Sequence, residues 1–156
     1  NATWAPTHGN TQPWRFKVYR EESRKELSVK LGDLYKELTP ENLFKEEKLK
    51  KIIARPFLSS VAIVICMKRG DNEKIPEIEE VQAVACAVQN ICLTATAYGL
   101  GSFWSSPKII YSDQMKSYLK LKSEDKCLGI LYLGYPTIDW PKGQRKPIEY
   151  LTEWND

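Results

Sequence analysis

The stretch Trp4-Ala5-Pro6-Thr7-His8-Gly9-Asn10-Thr11-Gln12-Pro13-Trp14-Arg15-Phe16 decides how the rest of the chain is read. It holds two prolines, two tryptophans, the chain's single histidine and the amides Asn10 and Gln12. A polar loop this rich in side-chain donors and acceptors, placed just before a first strand, sits where ligands commonly bind. The residues alone leave a second reading equally open, in which Asn10 and Gln12 only bond the loop's own backbone.

Outward from the loop, the hydropathy pattern switches between strand and helix periods. Trp14 to Arg20 alternates large apolar with basic residues, which predicts a strand with one buried face. Leu27, Leu31, Leu34, Tyr35 and Leu38 recur at helical spacing within Ser23 to Leu38, with charges on the other side, so this is an amphipathic helix. Thr39-Pro40 reads as a cap followed by a first-turn proline. A second helix is therefore predicted from there to about Ala54, stopped before Pro56. Ser60 to Lys68 is a continuous Val- and Ile-rich run, the pattern of a central strand buried on both faces.

Ile78 to Tyr98 is the longest helix candidate. Val81, Val84, Ala85, Val88, Ile91, Cys92, Leu93 and Ala95 cover most of its circumference, so it is expected to be buried nearly all round, with a partner subunit as one cover. Gly99 is its C-cap. Ser112 caps a short helix with Met115, Tyr118, Leu119 and Leu121, and Leu128 to Tyr135 is a last strand closed by Pro136. The tail from 138 to 156 is polar but carries Trp140, Tyr150 and Trp154, which calls for a partner chain to pack on.

Bulk properties narrow the function. A chain of 156 residues, 42% hydrophobic and 28% charged, suits one globular domain. A net charge of +3 spread along the chain does not mark a nucleic-acid protein. No apolar run reaches the roughly 18 residues of a membrane span. Cys66, Cys86, Cys92 and Cys127 form no CxxC pair and sit in apolar stretches, so buried free thiols in a reducing cytoplasm are expected. No metal site is expected with one histidine. There is no GxGxxG, no phosphate-binding loop of the Walker type and no GxSxG elbow. Carboxylates such as Glu46 and Glu47 alternate with lysines and read as solvated faces. A protein so short of acid–base machinery leaves the chemistry to a cofactor.

Ala5-Pro6-Thr7-His8 followed by Gln12-Pro13-Trp14-Arg15-Phe16 resembles the signature of the nitroreductase family, in its short one-domain branch. Ala85 to Gly101 is similar to that family's long central helix ending in Gly-Leu-Gly. Ser102-Phe103-Trp104-Ser105-Ser106 resembles its flavin-contacting loop, Gly129 to Pro136 its last core strand, and Arg145-Lys146-Pro147 the basic element of its tail. The resemblance spans nearly the whole chain. It implies an α+β fold with a central mixed sheet flanked by helices, and an intertwined homodimer with FMN at the interface. It also implies ping-pong transfer from NADH or NADPH to a nitroaromatic, quinone or similar small-molecule acceptor.

Residue roles follow from the resemblance one at a time. His8 matches a position contacting FMN from the partner subunit. Trp4 stands where the family often has Arg and would pack on the ligand without pairing with phosphate. Asn10 and Gln12 would offer amides to the ring's polar edge. Trp104, Ser105 and Ser106 match the stretch lining the flavin, with the Ser106 backbone near N5, the atom that takes up hydride. Arg145 is the candidate for the FMN phosphate, with Lys146 and Lys142 as substitutes, since a guanidinium fork suits phosphate oxygens. The resemblance also implies an Arg-Arg-Ser-x-Arg-like segment before Asn1. Two alternatives stand beside the reductase: an FMN carrier or sensor with little turnover, and a cofactor-free interaction module.

Overall fold

In the computed structural model, residues 1–140 and 142–155 are described. The regular elements run β1 (Trp14–Arg20), α1 (Ser23–Leu38), α2 (Glu46–Ala54), β2 (Val61–Met67), α3 (Glu77–Ala97), β3 (Gly101–Ser105), α4 (Asp113–Tyr118) and β4 (Lys126–Gly134), joined by single turns of 3-10 helix. The strands form one sheet in the order β1-β2-β4-β3. Its helices lie on both faces. On one face Leu27 and Leu34 of α1, Leu49 of α2, and Ile110, Met115 and Leu119 in and beside α4 pack against Ala62, Val64, Cys66, Cys127, Ile130 and Tyr132. On the other, Ala83, Val84, Ala87 and Val88 of α3 close over Trp14, Ile65, Met67 and Leu131. The two-residue period of β2 and β4 thus feeds both layers, as expected for a strand buried on both sides. A fully buried Leu such as Leu34 contributes about 1.5–3 kcal/mol by leaving water.

The sheet departs from the expected mixed one. All three strand pairings are antiparallel. The crossover through α3 does send β2 and β3 in the same direction, but β4 slots between them running the other way, so no parallel pair forms among the described residues.

Several boundaries match the hydropathy reading and others do not. β1 and α1 span the predicted residues. Gly99, at φ +72°, ends α3 with Leu100 N–H on the Ala95 carbonyl and Gly99 N–H on that of Thr96. The Ser112 hydroxyl accepts from the Met115 N–H at 3.1 Å, the expected cap. The second helix, however, does not start at Thr39-Pro40. Those residues open only a 3-10 turn over Glu41–Leu43; Phe44 and Lys45 are extended, and α2 begins at Glu46. Tyr35 explains the break: its hydroxyl takes the Lys45 N–H at 3.1 Å and its ring packs on Phe44, with centroids 5.3 Å apart. Nor does β1 bury one face alone. Trp14 and Phe16 join the α3 layer, Tyr19 joins the other, and Val18 stays exposed.

α3 is covered on one side only. Ile78 and Leu93 are open to solvent, so the helix is not buried all round within one chain. The same open side corrects the cysteine reading: Cys66 and Cys127 are buried, but Cys86 is exposed and Cys92 half-buried. Cys66 and Cys127 face each other across β2 and β4, and a hydrogen bond to Cys127, together with burial, holds the Cys66 thiol well above the usual thiol range. Residues 138–140 and 142–155 of the tail are exposed throughout, Trp154 at 82%; Pro141 and Asp156 of the expected tail lie outside the described residues. Among the described residues, no helix is long and apolar enough to cross a membrane, and no cluster of His, Cys, Asp and Glu is arranged to hold a metal.

Candidate functional site

The opening loop folds into a tight, left-handed path. Gly9, Asn10 and Gln12 have φ of +57°, +53° and +45°. Gly takes such values freely and Asn tolerates them, but Gln does so at a cost of about 1–3 kcal/mol, so its surroundings must hold it. Part of the hold is internal. The Thr7 hydroxyl accepts the Gln12 N–H at 3.2 Å and meets the Thr11 hydroxyl at 3.1 Å. The Gln12 side-chain amide donates to Asn10 Oδ1 at 2.9 Å. Asn10 and Gln12 therefore bond each other rather than the loop's backbone, and both side chains remain exposed. His8 is also exposed, its Nδ1 lying 2.5 Å from Glu79 Oε2 in the first turn of α3. Upstream, Asn1 bonds Thr94 and Asn90 near the other end of α3. Residues 1–10 thus run antiparallel along the helix, with Trp4, 86% exposed, between its ends.

β3 is the second half of the site. The family resemblance implies a flavin-contacting loop over 102–106; Gly101–Ser105 forms a short edge strand instead, ending in the pair Ser105↔Ile130. Strand geometry sends Trp104 and Ser105 to opposite faces, and each opens onto a cleft. On the α3 side a cleft of about 390 Å³ is lined by Val81, Ala85, Trp104, Ser106, Tyr111 and Leu128. The Trp104 indole donates to the Leu128 carbonyl at 3.2 Å and lies against Gly129, where an added Cβ would fall 2.3 Å from Nε1. On the opposite side, a narrower cleft of about 180 Å³ is floored by Leu31, Ile109, Ile130 and Tyr132 and walled by Lys48, Lys51 and Arg55.

Arg55 dominates that second cleft. Its guanidinium donates to the Ser105 hydroxyl at 3.3 Å and sits 5.2 Å from the Phe103 ring centroid. Burial pushes the Tyr132 hydroxyl up to about 12, with the positive charge of Arg55 opposing it. Arg55 was missed in the sequence because it ends a lysine-rich helix that reads as a solvated face. The signal was present: Lys48, Lys51 and Arg55, spaced three and four apart, share one face of α2 with Ile52. A larger hollow on the outer face of α1 is open and lined by Glu22, Lys25, Glu26, Lys30 and Asp33 with Val29, a solvated helix surface.

Trp104, Ser105 and Ser106 are therefore brought together with two clefts, Ser105 turning its side chain to the cationic one. Trp4, His8, Asn10 and Gln12 line neither cleft of their own chain. Arg145 is exposed in the tail, bonds only the neighbouring Gln144 carbonyl at 2.8 Å among the described residues, and is not brought to the others. The α3-side cleft, with the Trp104 indole against Gly129 and the Ser106 hydroxyl, fits the ring end of FMN, while Lys48, Lys51 and Arg55 lie on the opposite face of the sheet, behind Ser105. The residues expected at the phosphate end, Arg145, Lys146 and Lys142, are exposed in the tail and line neither cleft.

Comparison with known proteins places the fold and the family. YdjA of Escherichia coli K12, provisionally named an NAD(P)H nitroreductase, is 29% identical over 134 residues, covering 86% of this chain and 71% of its own. A nitroreductase-like protein from Bacillus cereus superposes with a TM-score of 0.80 at 29% identity, covering 99% of this chain and 79% of its own. A protein from Desulfovibrio desulfuricans, solved in complex with FMN and provisionally named a nitroreductase, is 26% identical with a TM-score of 0.65, over 99% of this chain and 79% of its own. The model of the nitroreductase family matches residues 1–135, and the chain belongs to that family.

Proposed function

We propose that the protein is an FMN-dependent oxidoreductase that takes reducing equivalents from NADH or NADPH and passes them to a nitroaromatic, quinone or similar acceptor. The observation that carries this is the Trp104–Ser106 segment, with its aromatic wall on one side and the Arg55 guanidinium on the other. FMN, when bound, supplies the two-electron chemistry, accepting hydride at N5 and giving it up to the acceptor. The chain's residues bind and tune it. Arg55, Lys48 and Lys51 place positive charge behind Ser105, on the far face of the segment that lines the flavin, which favours a ring that gains negative charge on reduction. Ser106 lines the α3-side cleft beside Trp104, and on the family resemblance we assign its backbone N–H to N5.

The working unit in this reading is a homodimer. His8, Asn10 and Gln12 present exposed polar groups that line no cleft of their own chain, and Ile78 and Leu93 on α3 and Tyr150 and Trp154 in the tail are apolar and uncovered. A second copy would use both sets, bringing its loop, Trp4 and Arg145 to the first copy's flavin. Two results are expected. Light scattering gives twice the 18.0 kDa of one chain. Initial rates with NADH or NADPH against a benzoquinone give parallel double-reciprocal lines, the pattern of donor and acceptor taking turns in one site. A monomer, or intersecting lines, would count against this reading.

A further inference from the structure

The left-handed loop 7–12 rests on a support built from Arg69, Gly70, Ile75 and Glu80. Glu80, in the first turn of α3, is 1% exposed, and its carboxylate is fully used: one oxygen accepts from the Arg69 guanidinium and the other from the Gly70 N–H at 3.1 Å. The second guanidinium nitrogen of Arg69 donates to the Ile75 carbonyl at 2.6 Å, closing the 69–75 segment into a ring around the ion pair. Asp125 fixes the base of that ring by accepting the Arg69 N–H at 2.9 Å.

The loop touches this ring at two points. Gly9 is pressed so closely on Ile75 that an added Cβ would lie 2.7 Å from its Cδ1. Gly70 faces Thr11, where an added Cβ would meet Cγ2 at 3.3 Å. The neighbouring Glu79 holds His8, and the Lys68 N–H donates to the Pro13 carbonyl at 2.8 Å. Two adjacent carboxylates of α3 therefore act in opposite directions, Glu79 outward on the loop itself and Glu80 inward on the segment beneath it. A buried charge pair is a weak source of net stability, but it fixes geometry strongly because neither partner has another place to go. A loop holding Asn10 and Gln12 at positive φ needs such a fixed support.

We infer that Arg69 and Glu80 are positioning residues, which hold loop 7–12 in the conformation that presents His8, Asn10 and Gln12 to the flavin. The flavin part of this inference rests on the function proposed above; the support of the loop does not. The test is amide hydrogen exchange on the unliganded full chain, comparing the loop amides of Asn10, Thr11 and Gln12 with those of β2, together with FMN titration. In Glu80→Gln the loop amides are expected to exchange at least roughly tenfold faster relative to β2, and FMN binding to weaken by a similar factor. In Ile75→Val, which removes only the methyl touching Gly9 and leaves the ion pair intact, the loop is expected to exchange several-fold faster with β2 unchanged. A loop–core ratio unchanged in Ile75→Val, or in a folded Glu80→Gln, overturns the inference. If Glu80→Gln does not fold, Ile75→Val alone decides. Faster loop exchange with wild-type protein that takes up no FMN would confirm the support and sink the flavin reading instead.

Discussion

Replacing Gly129 with alanine is expected to cost about 2–6 kcal/mol of stability and to leave the purified protein without FMN, through two separate effects. Gly129 has φ +139°, a conformation that costs an L residue about 1–3 kcal/mol. Its missing side chain is also the space that Trp104 occupies: a Cβ would lie 2.3 Å from the indole nitrogen and 2.9 Å from the Ser105 carbonyl oxygen. Overpacking of that kind typically costs a further 1–3 kcal/mol or so, and relieving it pushes the end of β3 out of place. Gly99→Ala separates the two effects. Its φ of +72° also disfavours alanine, though less than +139° does, and nothing lies within 4 Å of the added carbon, so only the backbone cost of about 1–2 kcal/mol is expected. Urea unfolding midpoints and FMN content measure both variants. A Gly129→Ala protein as stable as Gly99→Ala would show that Trp104 is not held as described.

Arg55→Met is expected to leave the fold intact and to act on the flavin. A hydrogen bond involving a charged group contributes about 1.5–3 kcal/mol. If Arg55 supports the reduced ring by that much more than the oxidised one, its loss lowers the two-electron potential by about 30–60 mV, at 30 mV per 1.4 kcal/mol. Loss of the same charge should move the Tyr132 hydroxyl further upward, since Arg55 is what opposes the effect of burial there. Spectroelectrochemistry of bound FMN and ultraviolet titration of tyrosine read the two consequences independently. A potential unchanged in Arg55→Met would show that the positive charge behind Ser105 does not act on the flavin.

How far the sequence alone reached can be read from particular elements. β1, α1, β2 and the ends of α3 were legible because their apolar residues recur at a clean period and carry recognisable stops, such as Gly99 and Pro56. β3 was not. It is an edge strand whose Ser102, Phe103 and Trp104 are all exposed, so no burial pattern marks it. The break at Phe44 and Lys45 was hidden because it depends on Tyr35, ten residues upstream of Lys45, and not on any local breaker. The antiparallel sheet was out of reach for a similar reason: strand direction is set by where β4 inserts, which no single strand encodes.

The site divides the same way. The family motifs pointed to the opening loop and to Trp104–Ser106, and both border α3. Arg55 and the Arg69–Glu80 pair escaped notice because their partners are distant in sequence: Ser105 is 50 residues from Arg55, and Glu80 is 11 residues from Arg69. A cation's role in such places depends on what the fold sets beside it, and composition reads it only as surface charge.

The claim that the chain is an FMN reductase is tested most directly by the visible spectrum of the protein reconstituted with FMN, recorded without air before and after adding NADH and then NADPH. The account predicts protein-bound flavin whose absorption bleaches with at least one of the two nucleotides and returns on adding a quinone. Bound flavin that bleaches with neither would make the protein a carrier or sensor, and a chain that takes up no FMN would contradict the account altogether.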